Sequence, residues 1–245
     1  MLSWILVLLL AFSPSSAARC RVDDKQLESA VLEIIRRHPE VVFEAVMNHH
    51  RERARAERLA LWKAAAEHPV FLDLTSAPKQ GPHDAPLTLV EIADFRCPAC
   101  AAAQPAVETV MRKYKGRIQL AYLHAASPSD ALSGQAARAA WAAHRQGRFF
   151  EYKAKLFALQ GQVHPEDLTR ISRELSLDMV QFERDRQSDD ASRQINADME
   201  QVKRASVPGT PTFVLNGVLV SGTVAVEDFD QLIQIVSAKV SVEQK

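Results

Sequence analysis

The chain has 245 residues, 47% of them hydrophobic and 24% charged, with 30 basic side chains balanced by 30 acidic ones. That profile fits a soluble globular protein and excludes disordered, collagen-like and multi-span membrane chains, and the even charge argues against a nucleic-acid binder. Three cysteines are too few for a disulfide scaffold, and a chain of this length buries roughly 70–75% of its unfolded surface without such staples.

Leu2 to Phe12 is one apolar run, followed by small residues through Ala18. The run is too short to span a bilayer, and Ser15/Ala17 or Ser16/Ala18 fit a −3/−1 cleavage rule. Residues 1–18 are therefore expected to be a cleaved secretory signal, although no Lys or Arg precedes the run. Arg19 before Cys20 rules out lipidation, and export places the cysteines in an oxidising compartment.

Residues 23–37 form an amphipathic helical pattern, with Leu27, Ala30, Val31, Ile34 and Ile35 on one stripe. His38-Pro39 interrupts it and starts a second helix, expected to reach Glu67. That helix is apolar at both ends and polar all round over 48–58, the composition of a helix that crosses solvent between packed bodies. Residues 70–85, with Pro78, Gly81 and Pro82, predict an irregular link. The pattern then changes to a strand at 87–95, a helix at 98–115 and a strand at 118–123, a parallel crossover unit. Helical segments fill 130–145, 148–160, 165–175, 178–187 and 189–205. Two short strands, 212–215 and 218–221, flank Asn216-Gly217, a strong hairpin signal, and a helix at 226–240 follows. The aromatic residues Phe149, Phe150, Tyr152 and Phe157 are spaced as a core stripe, and Met179 and Phe182 are read in the same way.

Cys97-Pro98-Ala99-Cys100 stands where a strand hands over to a helix. A first cysteine at a helix N-terminus meets unpaired N–H groups and the positive end of the macrodipole, both of which favour the reactive thiolate. Cys100, one turn on, is expected to be more buried and to resolve a mixed disulfide. A zinc site would need a second pair of ligands at suitable spacing, and a structural bridge over so short a loop removes little unfolded-state entropy. Glu91 lies on one face of the preceding strand with Leu89 and Ala93. A carboxylate there must titrate or pair, which suits a buried proton acceptor for the resolving thiol. Asp94 is expected at an exposed loop, and Arg96 either supports the Cys97 thiolate or is a solvated loop residue. Further on, the segment 207–213, VPGTPTF, places Thr210-Pro211 at a strand start, where proline costs no ladder bond.

The strand–CPAC–helix unit, Pro105 and GTPTFV leading into a hairpin and last helix resemble the thioredoxin fold. The helical block between the two halves is similar to that of the DsbA family. The amino-terminal RRHPEVVFEAV with FRCPAC and GTPTFVLNG resembles exported DsbA-family proteins with a helical oligomerisation stem, the ScsC-like type. The resemblance implies an α/β fold: a thioredoxin-like domain over 69–245 with a helical insertion at about 125–206, preceded by a stem and linker over 19–68. It implies Cys97 as nucleophile, Cys100 as resolving thiol, a cis Pro211 facing the disulfide, and Glu91 in the place of the family's buried acid. Pro98, Ala99 and Thr210 would border the substrate. Pro-Ala lacks both the histidine of the dedicated oxidase and the tyrosine common in isomerases, so the Cys97 pKa is expected to be only moderately lowered. Thr210 before the proline is similar to what isomerases carry.

The leading expectation is an exported, periplasmic thiol–disulfide oxidoreductase acting on cysteine-containing exported proteins, foremost as an isomerase or reductase. A membrane redox partner would reset the pair, and residues 23–67 would build a homo-oligomer. No cofactor, metal or nucleic acid is called for. A dithiol oxidase is the alternative, and a chaperone or copper-holding dithiol protein is a further one, since Cu(I) accepts two thiolates. Cys20, an odd cysteine in an exported chain, is read as a dispensable terminal thiol, with intermolecular pairing as the alternative.

Overall fold

The structure, a computed structural model, describes residues 23–243, and side chains as far as residue 238. The expected signal segment and Cys20 lie outside the described residues. The chain divides into two compact units, Met1–Ala54 and Arg55–Lys245.

The first unit contains α1 (Asp24–Arg37) and the start of α2 (Pro39–Glu67). His38 leaves helical geometry (φ −129°, ψ 57°) because Pro39 follows it. No residue of α1 is buried, and Leu27, Val31, Leu32, Ile34 and Ile35 are all exposed. Val41, Val42, Phe43 and Val46 at the start of α2 are exposed as well. The boundary between the units falls inside α2, earlier than the expected one at residue 68. Trp62 and Ala66 explain the difference, since both are buried in the core of the second unit.

The second unit is built on a five-stranded sheet, β1 (Lys79–Gln80), β2 (Leu87–Ala93), β3 (Ile118–His124), β4 (Thr212–Leu215) and β5 (Val218–Ser221), in spatial order β1-β3-β2-β4-β5. β2 and β3 are parallel and joined through α3 (Pro98–Lys113), whereas β4 runs antiparallel to β2. Five helices stand between β3 and β4: α4 (Ala131–Arg145), α5 (Phe149–Phe157), α6 (Pro165–Glu174), α7 (Met179–Arg186) and α8 (Asp189–Arg204). α9 (Val226–Glu243) closes the unit. Asp130, Asp178 and Ser188 cap α4, α7 and α8 through side-chain oxygens that accept backbone N–H groups.

Strand alternation decides which side chains meet which helices. Leu87 and Leu89 face α3 and α9, in a core with Val107, Val110, Phe229 and Leu232. Val90 and Ile92 face the other way and pack with Leu123, Val214 and the link around Leu72–Ala77. Phe95, Tyr122, Phe149, Tyr152, Phe157 and Phe182 form a third cluster with the alanine-rich face of α4, so Phe149, Tyr152 and Phe157 are core as expected, whereas Phe150 is half-buried and packs against the cluster. Met179 packs against that cluster, partly buried.

Three departures from expectation have a visible physical cause. The link over 70–85 contains β1, which adds antiparallel to the edge of β3. β2 ends at Ala93 instead of residue 95, because the Asp94 carboxylate turns the chain by accepting the Arg96 N–H. α5 ends at Phe157, since Gln160 and Gly161 both take positive φ and no helix continues through them.

The β4–β5 turn shows why Asn-Gly stands there. Asn216 (φ 44°) and Gly217 (φ 87°) are both left-handed, as a two-residue hairpin turn requires. The Asn216 side chain accepts the Thr88 N–H and donates to the Pro86 carbonyl, which fixes the start of β2 against the turn. A Cβ on Gly217 would lie 2.4 Å from Pro69 Cβ. Gly217→Ala therefore combines left-handed strain with a clash and should cost about 2 kcal/mol or more. The measurement is a denaturant midpoint against the parent chain.

Candidate active site

The antiparallel register Ile92↔Thr212 places the segment before β4 beside the carboxyl end of β2, where the loop 94–97 starts α3. Cys97 is the N-cap of α3, in extended geometry, with Pro98 at the first helical position. Its N–H donates to the Asp94 carbonyl (3.1 Å), and its carbonyl accepts the Cys100 N–H (3.1 Å). Cys97 is half-buried, Cys100 is fully buried, and both thiols are free. Pro98 and Ala99 lie exposed beside Cys97.

Opposite Cys97, the Thr210–Pro211 peptide is cis. The Cys97 thiol donates to the Thr210 carbonyl at 3.5 Å. Thr212 holds this segment from below, its hydroxyl donating to the Gly209 carbonyl (2.7 Å), while the Gly222 N–H donates to the Pro211 carbonyl (2.8 Å).

Two thiols one helical turn apart thus have opposite surroundings. Partial burial works against ionisation of Cys97, but hydrogen bonds from the Thr210 side chain, from the Cys100 backbone and thiol, and from the Ala99 backbone outweigh it and bring its pKa below the ordinary thiol value. Burial dominates at Cys100 and pushes its pKa far up. The half-buried partner ionises more readily, and the buried partner keeps its proton until something removes it.

Glu91 is fully buried beneath α3. Lys153 of α5 pairs with its Oε2 at 2.8 Å, and Gln104 of α3 donates to its Oε1 at 2.7 Å. The same Gln104 amide donates to the Cys100 carbonyl (2.9 Å), while its oxygen accepts from Lys153 Nζ (2.6 Å). Lys153 was not among the sequence candidates. Its signal was available, because it falls on the apolar stripe Phe149, Tyr152, Leu156 and Phe157, where a lysine must find a carboxylate. Gln104 and Lys153 line a groove of about 810 Å³ between α3 and α5.

The loop before Cys97 corrects two readings. Asp94 is buried, because its carboxylate accepts from the Arg96 and Ser127 N–H groups and from the Ser133 hydroxyl. Arg96 is neither a solvated residue nor a cation on the thiolate. It donates to Asp130 (2.5 Å) and to the Val163 carbonyl (2.8 Å), which anchors the loop to the helical insertion. Gly161 lies so close that a Cβ there would meet the Arg96 carbonyl at 2.9 Å and Pro98 Cγ at 3.1 Å.

His124, another residue missed in the sequence, follows Tyr122 on β3 and is register-paired with Ala93. Its ring is fully buried among Phe95, Tyr122 and Phe149, and neither ring nitrogen has a hydrogen-bond partner among the described residues. Burial pushes its pKa down to about 3. Nearby Asp198 accepts the His124 backbone N–H, and burial raises its pKa to about 6.

A sheet that presents a Cys-x-x-Cys pair at a helix N-terminus, opposite a cis-proline, defines a thioredoxin-fold dithiol domain. The family model described as Thioredoxin matches residues 75–235, and the chain belongs to that family. Among solved structures, the thioredoxin-like oxidoreductase from Silicibacter pomeroyi DSS-3 is 29% identical, with a TM-score of 0.60 over 65% of this chain and 91% of that one. Proteus mirabilis ScsC in a transitional conformation is 20% identical, with a TM-score of 0.58 over 89% of this chain and 96% of that one, and it shares the fold. Among curated relatives, the Na(+)/H(+) antiporter NhaA 3 of Salinispora tropica is 37% identical over 139 residues, which is 56% of this chain and 21% of the relative. The chain thus spans about a fifth of the length of the curated relatives it matches. Among the described residues, no helix is long and apolar enough to cross a membrane.

Two measurements test these electrostatics. Iodoacetamide should alkylate Cys97 with a midpoint below the ordinary thiol pKa and leave Cys100 unmodified in the folded chain, as read by peptide mass spectrometry across a pH series. The second concerns acid stability. Between about pH 3 and 6.5 the unfolded chain binds a proton at His124 that the folded chain refuses, so this group makes stability rise with pH through that window. Asp198 acts in the opposite sense, since its raised value favours the folded state at low pH and that contribution fades as pH climbs towards 6. The His124 displacement is the larger, so His124→Phe should flatten the acid-side loss by a few kcal/mol, at ~1.4 kcal/mol per pKa unit. The readout is the denaturant midpoint at pH 4 and pH 7.

Proposed function

We propose that this chain is a thiol–disulfide oxidoreductase of the DsbA/ScsC type that acts on protein disulfides through Cys97 and Cys100. The observation that carries the reading is the half-buried Cys97 thiol at the N-terminus of α3, 3.5 Å from the Thr210 carbonyl beside cis Pro211, with the buried Cys100 one turn behind it. The Cys97 thiolate attacks a substrate disulfide and forms a mixed disulfide, releasing one substrate sulfur as a thiol. Cys100, deprotonated by Glu91, then attacks Cys97. The Cys97–Cys100 bond forms, the second substrate sulfur leaves and is protonated, and the substrate gains the two electrons that the pair loses. Thr210, Pro98 and Ala99 border the reacting sulfurs and receive the substrate backbone.

The preferred role is disulfide isomerase or reductase, on exported proteins of the periplasm, with a membrane redox partner that keeps the pair reduced. Two features support it. Thr210 precedes the cis-proline. The first unit also exposes the apolar residues Val31, Leu32, Ile35, Val42, Phe43 and Val46, and none of α1 is buried. A short helical pair with that much apolar surface suits assembly with further copies of the same chain over residues 23–67. Several active sites would then face shared substrates.

The test is reactivation of scrambled-disulfide ribonuclease by the mature chain and by a truncation beginning at Arg55. That start keeps Trp62 and Ala66 in the core of the second unit. The full chain should run as an oligomer and reactivate ribonuclease, and the truncation should run as a monomer and fall short. If neither reactivates ribonuclease while both oxidise a reduced peptide, the isomerase role is replaced by that of an oxidase.

A further inference from the structure

We infer that the helical insertion supplies a lateral proton route for the resolving thiol: Lys153 and Gln104 connect Glu91 to the α3/α5 groove, away from the face that binds substrate. The inference rests on the reading of Glu91 as the proton acceptor for Cys100.

The face around Cys97 is the one a protein substrate covers, since the reacting sulfur and the Thr210 carbonyl both lie there. A proton taken from Cys100 while substrate is bound needs another exit. Glu91 is fully buried and borders no solvent itself. Both its oxygens are held, Oε1 by Gln104 and Oε2 by Lys153, and these two side chains form part of the groove wall. One layer of side chain therefore separates the carboxylate from the groove. Gln104 also holds the Cys100 carbonyl, so one amide ties the first turn of α3 to the carboxylate.

The proton balance closes without a further reactant. Cys100 gives its proton to the Glu91 carboxylate and attacks Cys97. The Lys153 ammonium releases one proton to water in the groove and takes the proton held by Glu91. The carboxylate and the ammonium are both restored, and one hydronium has left on the flank. Lys153 is a positioning and relay residue, because it touches neither substrate nor sulfur.

Lys153 and Gln104 hold Glu91, and the strand pairing sets Tyr122 and Phe213 on either side of it. From β3 comes Tyr122, whose phenol burial and the Glu91 charge keep protonated and whose hydroxyl donates to the Ala93 carbonyl. Cys100, Asp94 and Asp198 are the further titratable groups whose charge acts on Tyr122. Glu108, Arg112 and Glu151 border the groove and set the field at its mouth.

The experiment is rapid mixing of the reduced full chain with a peptide disulfide whose two halves carry different fluorophores, across a pH series. Release of the first half reports attack by Cys97, and release of the second reports resolution by Cys100. Glu91→Gln should slow the second phase on the order of 100-fold at neutral pH and make it rise steeply with pH. Lys153→Met should change the pH profile in the same direction, the double variant should be no slower than Glu91→Gln alone, and Lys153→Arg should recover part of the rate. Ala154→Trp fills the groove from an exposed position without touching the ion pair, so it stays informative should Lys153→Met fail to fold. It should slow only the second phase. If Glu91→Gln leaves the second phase unchanged, the acceptor reading falls and the route with it. If Glu91→Gln slows it while Lys153→Met and Ala154→Trp do not, Glu91 remains the acceptor and the lateral route is overturned.

Discussion

The ion pair between Glu91 and Lys153 is the constraint that organises the rest of the second unit. A carboxylate placed in the middle of β2, facing the helices, cannot stay charged without a partner, because desolvation of each ion costs several kcal/mol. Lys153 supplies that partner from α5, and its own stem runs past Tyr122 and Phe157, over whose rings the ammonium sits at 5.9 and 5.5 Å. One charge on the sheet thereby dictates where a helix of the insertion must lie. The groove between α3 and α5, the position of Gln104 and the wall against which Phe157 packs all follow from that placement.

The same insertion also fixes the loop that carries the nucleophile. Arg96 is tied to Asp130 and to the Val163 carbonyl, Asp94 to Ser127 and Ser133, and Gly161 presses on Arg96 and Pro98. Asp130 serves twice, since it caps α4 while holding Arg96, and Arg96 draws its pKa below the ordinary carboxylate value against the effect of desolvation. Beneath the loop, Phe95 stacks on Tyr122 at 5.5 Å and meets Phe157 at 5.1 Å. A helix N-terminus lowers a thiol pKa only while its N–H groups stay aimed at the sulfur. These clamps hold that aim without placing a cation on the thiolate.

Much of this was legible in the sequence, and the parts that were not share one physical cause. Period-2 and period-3.6 patterns placed β4, β5 and α2 at their observed bounds, and the CPAC and GTP segments gave the two sides of the site, because local chemistry at turns and helix starts is written in adjacent residues. What depends on distant partners was hidden. Asp94 read as exposed because its partners Ser127 and Ser133 lie across the fold. β1 read as irregular because a two-residue strand has no period and exists only through its pairing with Ala121 and Leu120. Trp62 read as part of the stem because only the sheet, far along the chain, shows that it is core. Lys153 was readable in principle, as a cation on an apolar stripe, but only to a reader who matched it with Glu91 across the intervening chain.

The division of labour between the two thiols follows from depth more than from sequence identity. A proline and an alanine between the cysteines offer no charge, so the field at Cys97 comes from neutral donors: the Thr210 side chain, the Ala99 and Cys100 backbone, and the Cys100 thiol. Neutral hydrogen bonds stabilise an anion by less than a charged partner does. The thiolate is thus favoured without being held strongly, and a reduced pair that is not strongly favoured gives a less oxidising disulfide. Cys100, by contrast, is governed chiefly by burial and needs an acceptor within the protein to react at neutral pH. Under the proposed isomerase role, a thiolate favoured by neutral donors beside a dry resolving thiol would leave a mixed disulfide time for a substrate to exchange its own cysteines before it is released. Such a lifetime is what separates shuffling of disulfides from simple donation of one.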